Sequence, residues 1–208
     1  MDDAIFEREP GRRELPQERW YVIRNSIYVL GRLQDRTGVI PLRLRISDPD
    51  VRVRREIVSA LESIGGEESC DLLVVMADDP DFEIAESAII AAGLVGDEDM
   101  APLVADVAAR RPALATRTAS ALGQIGGAQA RRCLSRWLSD ADAFEKVTRG
   151  GVSRDDLRLA IVKALGRIGD KEALDRIRQL KKSLSLTHKL LPRSALLSRT
   201  IDEILSRQ

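Results

Sequence analysis

A helix-ending turn returns five times in this chain, and it limits the possible folds more than any other feature. It reads V-L-G-R-L-Q-D at 29–35, A-L-E-S-I-G-G at 60–66, A-A-G-L-V-G-D at 91–97, A-L-G-Q-I-G-G at 121–127 and A-L-G-R-I-G-D at 164–170. The last residues of successive turns lie 31, 31, 30 and 43 positions apart. A unit of this length cannot bury its own apolar face, so a repeat at this period implies a stack in which each unit covers the next.

One unit can be read in full over 48–80. Val53, Ile57, Ala60, Leu61 and Ile64 fall at helical spacing and form one apolar stripe. Asp48 is the expected cap of this helix, with Pro49 in its first turn, and Gly65-Gly66 ends it. A shorter apolar helix follows, and Asp79-Pro80 opens the next unit. The Ala and Gly near each helix end let neighbouring helices approach, and Gly in the turn accepts positive φ.

The run Asp48-Pro49-Asp50-Val51-Arg52-Val53-Arg54, followed by Ala60-Leu61 and Ile64-Gly65, resembles the HEAT repeat. The short period is similar to the phycobilisome-lyase-like subclass. The resemblance runs from about residue 19 to 181. Asp79-Pro80-Asp81-Phe82-Glu83-Ile84 repeats the opening with Ala85 in place of the Arg; Leu114-Ala115 departs likewise, and Leu157-Arg158 restores it. The resemblance implies an all-α, right-handed α-α superhelix of about five helix pairs with a C-terminal capping helix. The expected plan is a flexible lead-in at 1–17, a repeat array at 18–181 with an insertion at 140–155, and a linker with the capping helix at 182–208.

The first helix, at 18–33, is expected to turn Val22, Ile27, Leu30 and Leu33 inward, and the second spans 38–46. Trp20 suits either a binding aromatic or a cover for the end of the stack; the second is the commoner use of a large aromatic. The insertion at 140–155 holds Gly150-Gly151, which favours a turn or hinge. Two readings stay open for it: a loop on the binding face, or a segment packed on the adjacent repeat. The closing helix at 194–206 is expected to face Leu196, Leu197, Ile201, Ile204 and Leu205 inward. A basic cluster of Lys181, Lys182, His188, Lys189 and Arg193 precedes it; it suits contact with nucleic acid or an acidic protein, or a solvated linker, the commoner outcome.

Zero net charge hides an uneven distribution. Residues 67–109 hold twelve acids and no Lys or Arg, whereas 110–208 hold twenty-one basic and ten acidic residues. Capping explains acids such as Asp48, Asp79, Asp97 and Glu98. A surface for a basic partner is the alternative explanation for the block. No apolar run approaches the roughly 20 residues that span a membrane, and the N-terminus lacks the pattern of a secretory signal. Cys70 and Cys133, the two cysteines, fall in helices of different repeats and read as reduced thiols in a cytoplasmic protein. The chain suits a whole protein or a segment of a larger one.

The sequence offers little to catalysis. His188 is the single histidine, no Cys/His cluster has zinc spacing, and no phosphate-binding glycine loop occurs. The di-iron hydroxylase on HEAT-like repeats uses repeated His-Glu pairs, which are absent. No cofactor, catalytic residue or metal ligand is expected. The resemblance therefore implies a non-catalytic scaffold or adaptor that binds a protein partner. A bilin-lyase-type enzyme or lyase subunit is the alternative by analogy. A HEAT-like DNA-binding protein is a further one, disfavoured by the acidic middle.

In HEAT-like arrays the helix carrying the Val-Arg pattern lines the concave face. That register lists the partner-binding residues: Tyr28 and Arg32 with Asn25, Arg55 with Ser59 and Ser63, Glu86, Ile90 and Leu94, Arg117 and Gln124 with Ser120, then Lys163 and Arg167. Ile90 and Leu94 stand out because the equivalent positions elsewhere are mainly polar. They serve either as exposed anchors for a partner or as residues buried by tight curvature.

Overall fold

The computed structural model describes residues 20–149, 151–183 and 192–207. The expected lead-in at 1–17, Gly150, and the linker residues His188 and Lys189 lie outside the described residues. Within them the regular structure is helical and there is no strand.

Five pairs follow one another: α1 (Trp20–Leu33) with α2 (Val39–Arg43), α3 (Val51–Ile64) with α4 (Glu67–Met76), and α5 (Phe82–Val95) with α6 (Ala101–Arg110). Then come α7 (Ala115–Ile125) with α8 (Gly127–Ser139), α9 (Ala141–Thr148) alone, α10 (Arg154–Ile168) with α11 (Lys171–Ser183), and the closing α12 (Pro192–Ser206). The first helices α1, α3, α5, α7 and α10 pack side by side in one layer, which α12 completes, and the second helices form the other. The core lies between the layers, built from Ile57, Leu61, Leu73, Ile84, Ile89, Leu122, Leu134, Ile161 and Leu165, all fully buried. The result is an all-α solenoid.

Small residues set the spacing of the first layer. A Cβ on Gly31 would lie 2.9 Å from the Ala60 Cα; on Gly93, 2.6 Å from the Ala121 Cα; on Gly123, 2.7 Å from the Ala164 Cα. These glycines occupy one position of the recurring turn and face an alanine of the next repeat, so the helices touch backbone to backbone. Glu62 fills that position in α3, and the α3–α5 contact is less extensive than its neighbours.

The Asp-Pro-Asp loops are built differently from the expectation. Asp50, not Asp48, caps α3: its carboxylate accepts a hydrogen bond from the Arg52 N–H at extended φ/ψ. Asp81 caps α5 in the same way, accepting from the Glu83 and Ile84 N–H groups. Pro49 and Pro80 therefore precede the helix, and the first aspartate turns into the loop. Asp48 and Asp79 are buried and accept from the N–H of Asp50 (3.0 Å) and Asp81 (2.8 Å). A cap must sit immediately before the first helical residue, and only the second aspartate does.

One cap crosses between repeats. The Glu98 carboxylate, at the start of repeat three's second helix, accepts from the Ala128 N–H (2.8 Å) and the Gln129 N–H (3.1 Å) at the start of α8. Gly127 leaves room for it, since a Cβ there would lie 2.6 Å from the Glu98 side chain.

Several sequence expectations shift at the ends of the array. In α1 Ile27 is buried and Leu30 half-buried, but Val22 and Leu33 are exposed, because an end helix has a neighbour on one side only. The second helix of repeat one shortens to five residues after a 3₁₀ turn at Arg36–Gly38. In α12 Leu197 and Ile201 are buried, Ile204 and Leu205 half-buried, and Leu196 exposed. Trp20 is half-buried under the Arg52 guanidinium, 3.5 Å from its ring centroid, which favours the covering role.

The insertion at 140–155 is a packed helix rather than a loop. Asp140 caps α9 by accepting from the Asp142 and Ala143 N–H groups. Phe144 and Val147 are buried, and α9 packs on α8 and the turn at Pro112–Leu114. The chain then turns at Gly151, φ 92°.

Candidate functional site

The first layer presents a continuous ridge opposite the core. Asn25, Tyr28 and Arg32 on α1 are exposed, as are Arg55, Ser59 and Ser63 on α3. On α5 Glu86 is half-buried, whereas Ile90 and Leu94 are 38% and 54% exposed. Arg117, Ser120 and Gln124 on α7 and Lys163 and Arg167 on α10 are exposed too. The alternative in which tight packing buries Ile90 and Leu94 therefore does not hold. The helix turns them away from Ile89 and Ala92, which are fully buried.

Ion pairs tie neighbouring ridge helices together. Arg55 meets Glu83 at 3.0 Å, joining α3 to α5, and Arg117 meets Glu86 at 2.7 Å, joining α7 to α5. The Gln124 side chain lies over Gly93, where a Cβ would be 2.7 Å from its Oε1. The ridge serines turn back on their own helices: Ser63 Oγ donates to the Ser59 carbonyl and Ser120 Oγ to the Thr116 carbonyl. Outward bonding capacity thus resides in Asn25, Tyr28, Arg32, Ser59, Gln124, Lys163 and Arg167.

Sequence reasoning missed the contribution of α12, which carries no copy of the repeat and so no register. Its Thr200, Glu203, Ile204 and Arg207 face Lys163, Gly166 and Arg167 across a cavity of about 300 Å³.

The acidic block proves to be largely an internal matter. Asp78 and Asp106 pair with Arg110, Asp79 with Arg54, Glu83 with Arg55 and Glu86 with Arg117. Asp81 and Glu98 cap helices. The cations come from just outside the block, which accounts for most of its acids without a basic partner. Glu67, Glu68, Asp71, Asp97 and Asp99 make no ion pair among the described residues.

Both cysteines are free. Burial, with the Asp71 and Asp97 carboxylates adding to it, pushes the Cys70 thiol up to about 11, and burial also raises Cys133. Cys70 has acidic rather than electropositive neighbours, and at Cys133 burial outweighs the opposing pull of Arg136, so neither thiol is activated as a nucleophile. No helix among the described residues is long and apolar enough to cross a membrane.

Comparison with known families gives two matches. HEAT repeats match over residues 13–92, and the PBS lyase HEAT-like repeat matches over residues 157–183. They fall at the two ends of the array, and together they take in just over half of the chain. No curated protein matches it. With its stacked helix pairs and these two matches, the chain is a HEAT-repeat protein of the PBS-lyase-like type.

Proposed function

We propose that the chain is a non-catalytic scaffold that binds a protein partner along the ridge of its first helices. The observation that carries this reading is the exposure of Ile90 and Leu94, one helical turn apart, at positions that are mainly polar in the other repeats. Apolar residues on an otherwise polar ridge suit a partner anchor surrounded by charge. The glycine–alanine contacts draw the first helices together, while the second helices stand farther apart. Closer packing of the first layer supports a stack that curves toward the ridge. Two free thiols in different repeats support a reducing, cytoplasmic setting.

The test is affinity capture from the source cell with the full chain as bait, run beside Ile90→Ser/Leu94→Ser. Both residues are exposed, so the variant keeps the helical signal of the native chain. A partner held by the native chain and released by the variant supports the ridge. A partner held equally by both rejects it. A bound tetrapyrrole turns the assignment to a lyase subunit, and salt-sensitive DNA retention turns it to nucleic-acid binding.

A further inference from the structure

We propose that the cavity between α10 and α12, rimmed by Lys163, Arg167 and Arg207, is an anion subsite for the carboxylates of an acidic partner segment lying along the ridge. This deepens the scaffold reading and rests on it.

Among the described residues the exposed Arg32, Arg36, Arg43, Arg132, Arg149 and Arg176 meet no carboxylate and others are paired; the cavity differs in gathering three unpaired cations at one opening. Arg24, Arg55, Arg110, Arg117, Arg154 and Arg178 each meet a carboxylate. Lys163, Arg167 and Arg207 meet none among the described residues. The one acid on the rim, Glu203, accepts from Arg199 Nε at 3.0 Å, which leaves three rim cations against one carboxylate that is itself paired outside the rim. Three cations from two helices, together with Thr200 and Ile204, line a space of about 300 Å³. Arginine forks match carboxylates in two-pronged geometry, and the lysine adds a point charge.

The cavity also lies in register with the apolar pair. Ile90 corresponds to Ser120 and then Lys163, and Leu94 to Gln124 and then Arg167. Two steps between packed helices of about 8–10 Å each separate the sites. An extended segment spans that distance in about six residues at roughly 3.3 Å per residue.

Charge along the ridge selects an acidic peptide over a nucleic acid. Glu83 and Glu86 are paired with Arg55 and Arg117, and Arg32, Lys163, Arg167 and Arg207 meet no carboxylate among the described residues. The unpaired acid Glu62 lies on α3, three repeats before the cavity. A phosphate backbone needs a continuous row of cations. Between Ile90 and the cavity the ridge offers the uncharged Ser120 and Gln124, so no such row exists.

The experiment is selection of a random 16-residue peptide display library on the full chain. It is repeated on Lys163→Glu/Arg167→Glu/Arg207→Glu, on the neutral triple Gln variant, and on Ile90→Ser/Leu94→Ser. Circular dichroism confirms that each variant keeps its helices. The expected result is enrichment of peptides with an apolar residue and, about six positions away, two or more Asp or Glu. Their affinity falls at least tenfold on the Glu variant and less on the Gln variant. Enriched peptides without acidic bias, or with a bias that survives the Glu variant, overturn the subsite and leave the ridge standing. Failure to enrich any peptide, or enrichment unchanged by Ile90→Ser/Leu94→Ser, removes the ridge and the subsite together. A fluorescein-labelled 20-nucleotide single strand serves as the second probe. Binding of that strand, lost in the Glu variant, assigns the cations to phosphate and overturns the acidic peptide.

Discussion

The Arg54 guanidinium grips the Asp79 carboxylate with two hydrogen bonds, Nε to Oδ2 at 2.8 Å and Nη2 to Oδ1 at 3.1 Å, across the joint between the second and third repeats. Its remaining nitrogen, Nη1, donates to the Asp48 carbonyl at 2.8 Å. One side chain therefore holds two successive Asp-Pro-Asp loops at a fixed distance. This gives the recurring Arg and the first Asp a joint physical task. Where Ala85 replaces the arginine, Arg111 Nη1 takes over part of it by donating to the carbonyls of Ala77 and Asp79.

Losing Arg54 strands a buried acid. The side chains of Arg54 and Asp79 are only 12% and 4% exposed. Arg54→Met is expected to destabilise the fold by about 3 kcal/mol, the cost of leaving one buried partner uncompensated. Arg54→Met/Asp79→Asn recovers part of that loss, since no charge is stranded. Urea denaturation measures both; equal losses in the single and double variants refute the pairing argument.

The glycine–alanine contacts predict a graded response along the first layer. Gly93→Ala and Gly123→Ala push a methyl group into the backbones of Ala121 and Ala164, at 2.6 and 2.7 Å. Each is expected to cost about 1–3 kcal/mol as an overpacking change. Glu62→Ala, at the equivalent position of α3, leaves the thermal midpoint unchanged or raises it. Tolerance of Ala at all three positions contradicts the close-approach account.

The packed insertion makes a prediction opposite to that for a surface loop. Phe144→Ala removes a buried ring over which the Arg158 guanidinium sits, 5.1 Å from the centroid. A loss of about 3 kcal/mol is expected, as for large-to-small core changes. Replacing 140–155 by a short turn loses at least as much. An unchanged melting temperature in either variant shows that α9 is dispensable to the stack.

Cys70 adds a dependence on alkaline pH. Its folded thiol titrates at about 11, against an ordinary value of 9.0, because burial disfavours the thiolate. The folded state therefore keeps a proton that the unfolded state releases, and stability falls as pH rises from about 9 to about 11. Cys70→Ala should flatten that part of the stability profile, measured by urea midpoints between pH 8 and 11. At neutral pH, iodoacetamide should modify half-buried Cys133 before Cys70, read by mass spectrometry. Equal labelling argues against the buried assignment.

The exposed face of each first helix was legible in advance because helical periodicity at one register fixes which residues point away from the stripe. Ile90 and Leu94 emerge where that register places them. The ends of the array were not legible. The same apolar spacing in α1 and α12 that buries a central residue leaves Val22, Leu33 and Leu196 in water, since no further repeat covers them. The insertion was equally ambiguous: Asp140, Phe144 and Val147 suit a capped amphipathic helix, but Gly150-Gly151 draws attention to a hinge.

The sequence by itself determined the repeat, its period and the two-helix unit, because apolar spacing, turn glycines and caps act within a few residues of one another. Only the tertiary structure decided which aspartate caps and which one braces, that the acidic block is neutralised by arginines outside it, and that α12 brings Arg207 to Lys163 and Arg167. The brace from Arg54 to Asp79, the Arg117–Glu86 pair and the meeting of Arg207 with Lys163 join residues 25 to 44 positions apart. Their energies depend on desolvation and on the distance between charges, quantities that exist only once the helices have stacked.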